Sequence, residues 1–194
     1  MALNELAAVV TAVLVYLAGP FWGAPATRRQ RIAAALAVGV LGTAAGLIFR
    51  VADLWWVMPM IGLLAIVAVV DWIHQIIPNR LVALIAVWAL AARLLYGHWL
   101  GAAIVAAGMF LFYLLVNLAS RGGLGMGDVK FAAVVALALG YPAALFSMVL
   151  AMWAAGFYAL FLLLTHRRER RQTMALGPFL AAGGLVGLFL MIKR

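Results

Sequence analysis

Two aspartates stand out among the few acidic residues of this 194-residue sequence. The chain has only five Asp and Glu in all. Asp71 follows the unbroken apolar run 61–70, and Asp128 directly precedes the apolar segment 129–141. Ionisable groups at the edge of a membrane span are costly and are candidate functional residues. Two carboxyl groups in one confined wet site are the minimum equipment of an aspartic protease, because one can hold a proton while the other is ionised.

The residues around each aspartate predict the walls of such a site. Four glycines occupy the six positions 122–127, and glycine tolerates positive φ and close backbone approach. Irregular backbone at membrane depth persists only in protein or beside a wet cavity, so we expect Asp128 to point into a water-filled pocket. Pro78 biases the residue before it towards an extended conformation. We therefore expect the chain to leave the membrane at Asp71 and to re-enter it at Leu81.

The composition places the chain in a lipid bilayer. Hydrophobic residues make up 69% of it and charged residues 10%, whereas a soluble domain is about half apolar and about a quarter charged. The net charge of +9 comes from cations in the short gaps between apolar runs, which is typical of topology determinants and not of a nucleic-acid surface. The absence of cysteine excludes disulfides, thiolate metal sites and thiol nucleophiles.

The apolar runs predict an all-α polytopic membrane protein. About 20 apolar residues cross a bilayer core. We expect about eight transmembrane helices, or six to seven if short segments do not cross, around a water-accessible cavity on the cytoplasmic side. The predicted spans are 2–18, 32–49, 54–70, 81–96, 99–118, 129–141, 143–164 and 174–192.

The Lys and Arg residues predict the orientation of these spans, because cytoplasmic loops are enriched in them. Ten lie in the odd-numbered gaps: Arg28, Arg29, Arg31, Arg80, Arg121, Lys130, Arg167, Arg168, Arg170 and Arg171. Four lie on the other side: Arg50, Arg93, Lys193 and Arg194. We therefore expect the odd gaps in the cytoplasm and both termini outside. Two spans separate Asp71 from Asp128, so the two carboxyls share a face, and Asp53 lies on the opposite one.

Three ordered motifs in this sequence resemble those of the prepilin peptidase family of membrane aspartic proteases. Residues 123–130 read Gly-Leu-Gly-Met-Gly-Asp-Val-Lys and are similar to the family's Gly-x-Gly-Asp signature. Asp71 followed by Ile77-Pro78-Asn79 is similar to its first catalytic Asp and downstream Pro-Asn. Residues 176–181, Leu-Gly-Pro-Phe-Leu-Ala, are similar to the stretch that opens its last helix. The resemblance is strongest over 61–185, within a single domain expected to cover 1–194.

The resemblance implies cleavage of the basic leader from type IV prepilin or pseudopilin precursors, at the cytoplasmic face of a bacterial inner membrane. It implies Asp71 and Asp128 as catalytic acids, supported by Gly125, Gly127, Lys130, Pro78, Asn79, Gly177 and Pro178. Membrane lipid and the precursor are the expected partners, with no nucleic acid, cofactor or metal. Bifunctional members carry paired Cys-x-x-Cys motifs between their first two spans, whereas this chain has no Cys and only the short gap 19–31 there. We therefore expect neither zinc nor methyltransferase activity.

Other interpretations of the same residues stay open. A proton- or ion-coupled transporter would use Asp71 and Asp128 as relay carboxyls, although two acids on one face do not form a relay across the membrane. A catalytically idle scaffold for pilus assembly is a third class. Lys130 is either a positive-inside anchor or a group that contacts the substrate or tunes the aspartates. Asn79 caps a turn or contacts the substrate backbone. Oligomeric state is not indicated.

Overall fold

The computed structural model describes residues 27–48, 53–121, 123–165 and 174–191, together with the single positions 9, 11, 12 and 15. The described helices are α1 (Arg28–Ile48), α2 (Leu54–His74), α3 (Asn79–Tyr96), α4 (Trp99–Ala119), α5 (Met126–Leu139), α6 (Ala143–Leu164) and α7 (Gly177–Leu190). These ranges contain no β-strand, which confirms the all-α class. Most of predicted span 2–18 falls outside the described residues, as do Arg50, Gly122, the basic cluster 167–171, Lys193 and Arg194.

Five of these helices are long and apolar enough to cross a membrane, namely α1, α2, α3, α4 and α6. Helices α5 and α7 have 14 residues each, fewer than the roughly 20 that span a hydrocarbon core. The described residues therefore make this a multi-pass membrane protein, but they do not support the count of eight crossings.

The predicted boundaries are wrong at the two ends that carry the aspartates. Helix α2 does not stop at residue 70 but continues to His74. The next residue, Gln75, takes a left-handed conformation with φ of 54° and ends the helix. Helix α5 starts at Met126 and not at 129, which places Asp128 in its first turn. The expectation used the first charged residue as the end of each span, whereas backbone hydrogen bonds continue past it. Both carboxyls are therefore attached to helices.

Helix α5 lies at the centre of the bundle and packs against α3, α4, α6 and α7. From Phe131 onwards it is hydrophobic all round and has no exposed residue, as expected of an enclosed helix. Its buried residues are Val129, Phe131, Ala132, Val135, Ala136, Ala138 and Leu139. Helix α2 packs mainly on α1 and α7, and in the described residues it is not among the helices in extensive contact with α5.

Helix α7 separates α2 from α5 and contacts both through glycine. A Cβ atom at Gly184 would lie 3.0 Å from Cγ1 of Val135 in α5 and 3.2 Å from Cδ1 of Leu64 in α2. A Cβ at Gly183 would overlap the carbonyl oxygen of Ser147 in α6. Small residues let membrane helices approach closely. The two glycines of this segment thus allow close packing of three helices against α7.

Arg93 closes the end of α5 that lies farthest from Asp128. Its Nε donates to the carbonyl oxygen of Leu137 at 3.1 Å, and its Nη2 donates to that of Ala138 at 2.6 Å. The last carbonyls of a helix have no partner within the helix, and a cation there complements the helix dipole. The sequence predicted Arg93 only as a charge on the outer side, but the structure gives it a partner 45 residues away.

We expect Arg93→Met to lower the free energy of unfolding by about 2 kcal/mol, the size of hydrogen bonds that involve a charged group. Arg93→Lys should retain part of this stability, because an ammonium is a point donor and lacks the two-pronged geometry of a guanidinium. Unfolding in detergent micelles would be followed by circular dichroism. Arg80→Met, at the exposed other end of α3, is the control for loss of a positive charge. A stability of Arg93→Met equal to that of the control would contradict the capping role.

Candidate active site

Asp71 lies in the last turn of α2 and is 4% exposed. Its Oδ2 accepts a hydrogen bond from the backbone N–H of Gly177, at 2.8 Å. Gly177 is the first residue of α7, where helix N–H groups have no partner in their own helix. A Cβ at Gly177 would lie 2.8 Å from both Cβ and Oδ2 of Asp71. Only glycine therefore allows this helix end to approach the carboxyl so closely.

Asp128 lies in the first turn of α5 and is half-buried. Its backbone N–H donates to the carbonyl oxygen of Gly125 at 3.0 Å, and a Cβ at Gly125 would lie 2.9 Å from Oδ2 of Asp128. The carboxyl therefore folds back over Gly125. Its Oδ1 is buried and makes no hydrogen bond to any described residue. Buried carboxyl oxygens are usually paired, so this atom is available to a proton, a water or a substrate group.

The structure brings the two aspartates to the same end of the bundle, within electrostatic range of each other. The segment that follows Asp71 makes this connection. A Cβ at Gly127 would lie 3.2 Å from Cβ of Ile77 and 3.4 Å from its carbonyl oxygen. Asp53, in contrast, precedes the first residue of α2, at the end opposite Asp71.

Four further predicted residues, Pro78, Pro178, Lys130 and Asn79, support these backbone segments. Pro78 has an extended ψ of 131° and precedes the first residue of α3. Pro178 lies in the first turn of α7, where its missing N–H is not needed. Nζ of Lys130 donates to Oδ1 of Asn79 at 3.2 Å. Lys130 therefore joins the two motif segments across α3 and α5.

Two polar residues of α4 also support the site, and the motif analysis missed them. The Asn117 side-chain amide donates to the carbonyl oxygen of Leu124, in the glycine segment before Asp128. The Tyr113 hydroxyl donates to the carbonyl oxygen of Met148 at 3.3 Å, and this buried side chain lies within electrostatic range of Asp128. Both residues interrupt the apolar span 99–118 at a spacing of four, which places them on one helix face. That spacing is the signal that could have found them.

A cavity of about 680 Å³ lies at the far end of α5, beside Arg93, Leu139, Gly140 and Tyr141. It is therefore distant from the two aspartates, and the water-filled pocket expected at the carboxyls stays a prediction. Within the described ranges, no three His, Asp or Glu side chains form a group that could hold a metal ion.

Comparison with known proteins supplies the family. The model of the Type IV leader peptidase family matches residues 58–160, slightly more than half of the chain and including both aspartates. The chain belongs to this family. A prepilin leader peptidase/N-methyltransferase of Bacillus subtilis (strain 168) is 32% identical over 157 residues. The alignment covers 79% of this chain but 63% of that protein, less than two thirds of its length. No solved structure matches the chain.

If the chain has the leader-peptide cleavage activity for which its family is named, Gly177→Ala should slow that cleavage by roughly 100-fold, as a displacement of about 1 Å does. The added methyl group would overlap the Asp71 carboxyl and push it from its place. Cleavage of a precursor would be followed by gel shift in proteoliposomes. Gly108→Ala is the matched control, because nothing lies within 4 Å of its added Cβ. Equal rates for the two variants would show that the contact with Asp71 does not matter.

Proposed function

We propose that this chain is an intramembrane aspartic endopeptidase that removes the basic leader from type IV prepilin or pseudopilin precursors. The observation that carries the proposal is the approach of Asp71 and Asp128, from segments 57 residues apart, at one end of a membrane-embedded bundle. Membership of the Type IV leader peptidase family supports the same activity. A second support is the activity named for the Bacillus subtilis relative, prepilin leader peptidase.

The proposed mechanism uses the two carboxyls as an acid and a base. Two like charges close together do not both ionise readily, so the pair holds one proton. The ionised carboxyl takes a proton from water as the water oxygen attacks the scissile carbonyl, and the protonated carboxyl gives its proton to the carbonyl oxygen. In the second step the two carboxyls exchange roles. The carboxyl that took the proton from water gives it to the leaving nitrogen, the other takes a proton from a hydroxyl of the tetrahedral diol, and the C–N bond breaks. The pair ends with one proton, as it began, and its titration belongs to both residues.

We further propose peptidase activity without N-methylation. The name of the Bacillus subtilis relative includes an N-methyltransferase activity, and the resemblance assigns that activity to a cysteine-containing domain after the first span. This chain has no cysteine. The proposed peptidase therefore needs neither zinc nor a methyl donor.

We expect Asp71→Asn and Asp128→Asn each to lower the cleavage rate by more than about 100-fold, because each removes a proton-transfer group while preserving size. Purified protein in proteoliposomes would be mixed with a precursor that carries a basic leader. Asp53→Asn is the matched control at the opposite end of α2 and should keep wild-type rates.

Full activity in either dyad variant would refute the two-carboxyl mechanism. If the wild type cleaves no precursor tested, while ion flux into the same liposomes depends on Asp71 and Asp128, the transporter alternative replaces the peptidase.

The proposed topology places both aspartates at the cytoplasmic face of a bacterial inner membrane, with eight crossings and both termini outside. Ten of the fourteen Lys and Arg lie in the gaps assigned to the cytoplasm, as the positive-inside rule requires. The two short helices fit this count if α5 and α7 cross the membrane inside the protein, since helices enclosed by protein need not match the bilayer thickness.

We expect a membrane-impermeant maleimide to label His98→Cys from outside intact cells, and Ser120→Cys only after permeabilisation. Both positions are exposed at the two ends of α4, and the chain has no other cysteine. The protein without either substitution controls for background labelling. The reverse labelling pattern would place the aspartates on the outer face.

A further inference from the structure

The two aspartates are carried by helices that do not hold each other in place. In the described residues, α2 and α5 are not among the helix pairs with extensive contact. The distance between Asp71 and Asp128 must therefore depend on segments that touch both helices. One is α7, through Gly177 and Gly184. Another is α3, together with the connector 75–78 that joins it directly to the end of α2.

The connector meets the start of α5 at a backbone contact. Ile77 is 7% exposed, and its Cβ and carbonyl oxygen face Gly127 of α5. This contact consists of van der Waals surface and has no hydrogen bond to define its register. Without a directional bond, the connector and the start of α5 can shift relative to each other along this contact.

The hydrogen bond between Lys130 and Asn79 supplies that register. Asn79 is the first residue of α3, directly after the connector, and Lys130 lies one turn into α5. The 3.2 Å hydrogen bond joins them close in sequence to the contact between Ile77 and Gly127. Hydrogen bonds with an ionised donor are stronger than neutral ones, and side-chain bonds to a fixed helix end are directional.

The same bond directs the Lys130 ammonium towards α3. Residues two apart on a helix do not face each other, so Lys130 and Asp128 project on different sides of α5. A cation placed against the carboxyl pair would favour ionisation of both, and the shared proton would be lost. A neutral amide partner avoids this while still anchoring the lysine. Lys130 is also unsuited to bind a basic leader, since like charges repel.

We propose that the Asn79–Lys130 hydrogen bond is a positioning latch, which sets the separation of Asp71 and Asp128 through the connector 75–78. Neither residue is assigned a contact with the substrate. The inference rests on the proposed function for its catalytic consequence, but the alignment itself can be measured without catalysis.

The first experiment measures alignment by cross-linking. The chain has no cysteine, so Asp71→Cys and Asp128→Cys together introduce the only two thiols. Membranes would be treated with bifunctional thiol reagents of stepped length, and the shortest reagent that joins the two positions within one chain would be identified by protease digestion and mass spectrometry. Adding Lys130→Met or Asn79→Leu should lower its yield and shift reaction to longer reagents. Adding Arg80→Met, which removes an adjacent exposed cation, should not. Unchanged yields in the latch variants would overturn the proposal.

The second experiment measures catalysis in the native dyad. We expect Lys130→Met and Asn79→Leu each to lower kcat about tenfold with KM unchanged, within the coupling range of residues in one hydrogen-bond network. The double variant should be no slower than either single one. Asn79→Asp should recover part of the kcat that Asn79→Leu loses, because its carboxylate accepts the same hydrogen bond.

Additive losses in the double variant, or a rise in KM with constant kcat, would overturn the latch in favour of independent or substrate-binding roles. If the wild type cleaves no precursor, the proposed function fails, and the cross-linking yields still decide whether the latch exists. Arg80→Met again serves as the control, with wild-type kcat expected.

Discussion

The hydrogen bond from the Gly177 backbone to the Asp71 carboxyl is the contact on which the rest of the site depends. It joins residues 106 positions apart and fixes the start of α7 against the end of α2. From there α7 runs between α2 and α5, with Gly184 against Leu64 on one side and Val135 on the other. A carboxyl this deeply buried requires a donor, and a helix N-terminus provides one whose N–H is otherwise unpaired. The hydrogen bond that satisfies Asp71 therefore also determines where α7 must lie.

The length of α5 explains why so many polar contacts gather at its ends. Fourteen helical residues extend about 21 Å, whereas the hydrocarbon core is about 30 Å thick. The two ends of α5 therefore cannot both lie at the bilayer surface, and polar groups at an end within the membrane must be satisfied by protein or by water in a cavity. At the C-terminal end Arg93 supplies two donors. At the N-terminal end Asn117 binds the carbonyl of Leu124 in the segment before the helix. These side chains make the hydrogen bonds that water would make at the ends of a helix long enough to span the membrane.

The sequence predicts the helices and the residues of the site better than it predicts what those residues touch. Apolar runs located α4 within one residue and α6 at both ends, because period and length are local properties. The same criterion ended the span of α2 at residue 70, four residues before the helix ends at His74, since it stopped at a charge while the backbone hydrogen bonds continued. Arg93 and Lys130 were counted as topology charges because their partners lie 45 and 51 residues away. No local pattern contains such a distance, so tertiary partners required the fold.

The glycines also show that a local sequence pattern does not reveal which residues will be in contact. Their density before Asp128 predicts an irregular backbone, partly because glycine tolerates positive φ. Among the described residues, however, positive-φ glycines occur only at Gly97 and Gly140. Gly125, Gly127 and Gly177 instead permit close approach to Asp128, to Ile77 and to Asp71. Gly125 and Gly177 thus make room for carboxyl groups, and Gly127 makes room for the backbone and Cβ of Ile77. A local pattern could show that close approach occurs at these glycines, but the partner at each contact comes from a distant segment and is given only by the fold.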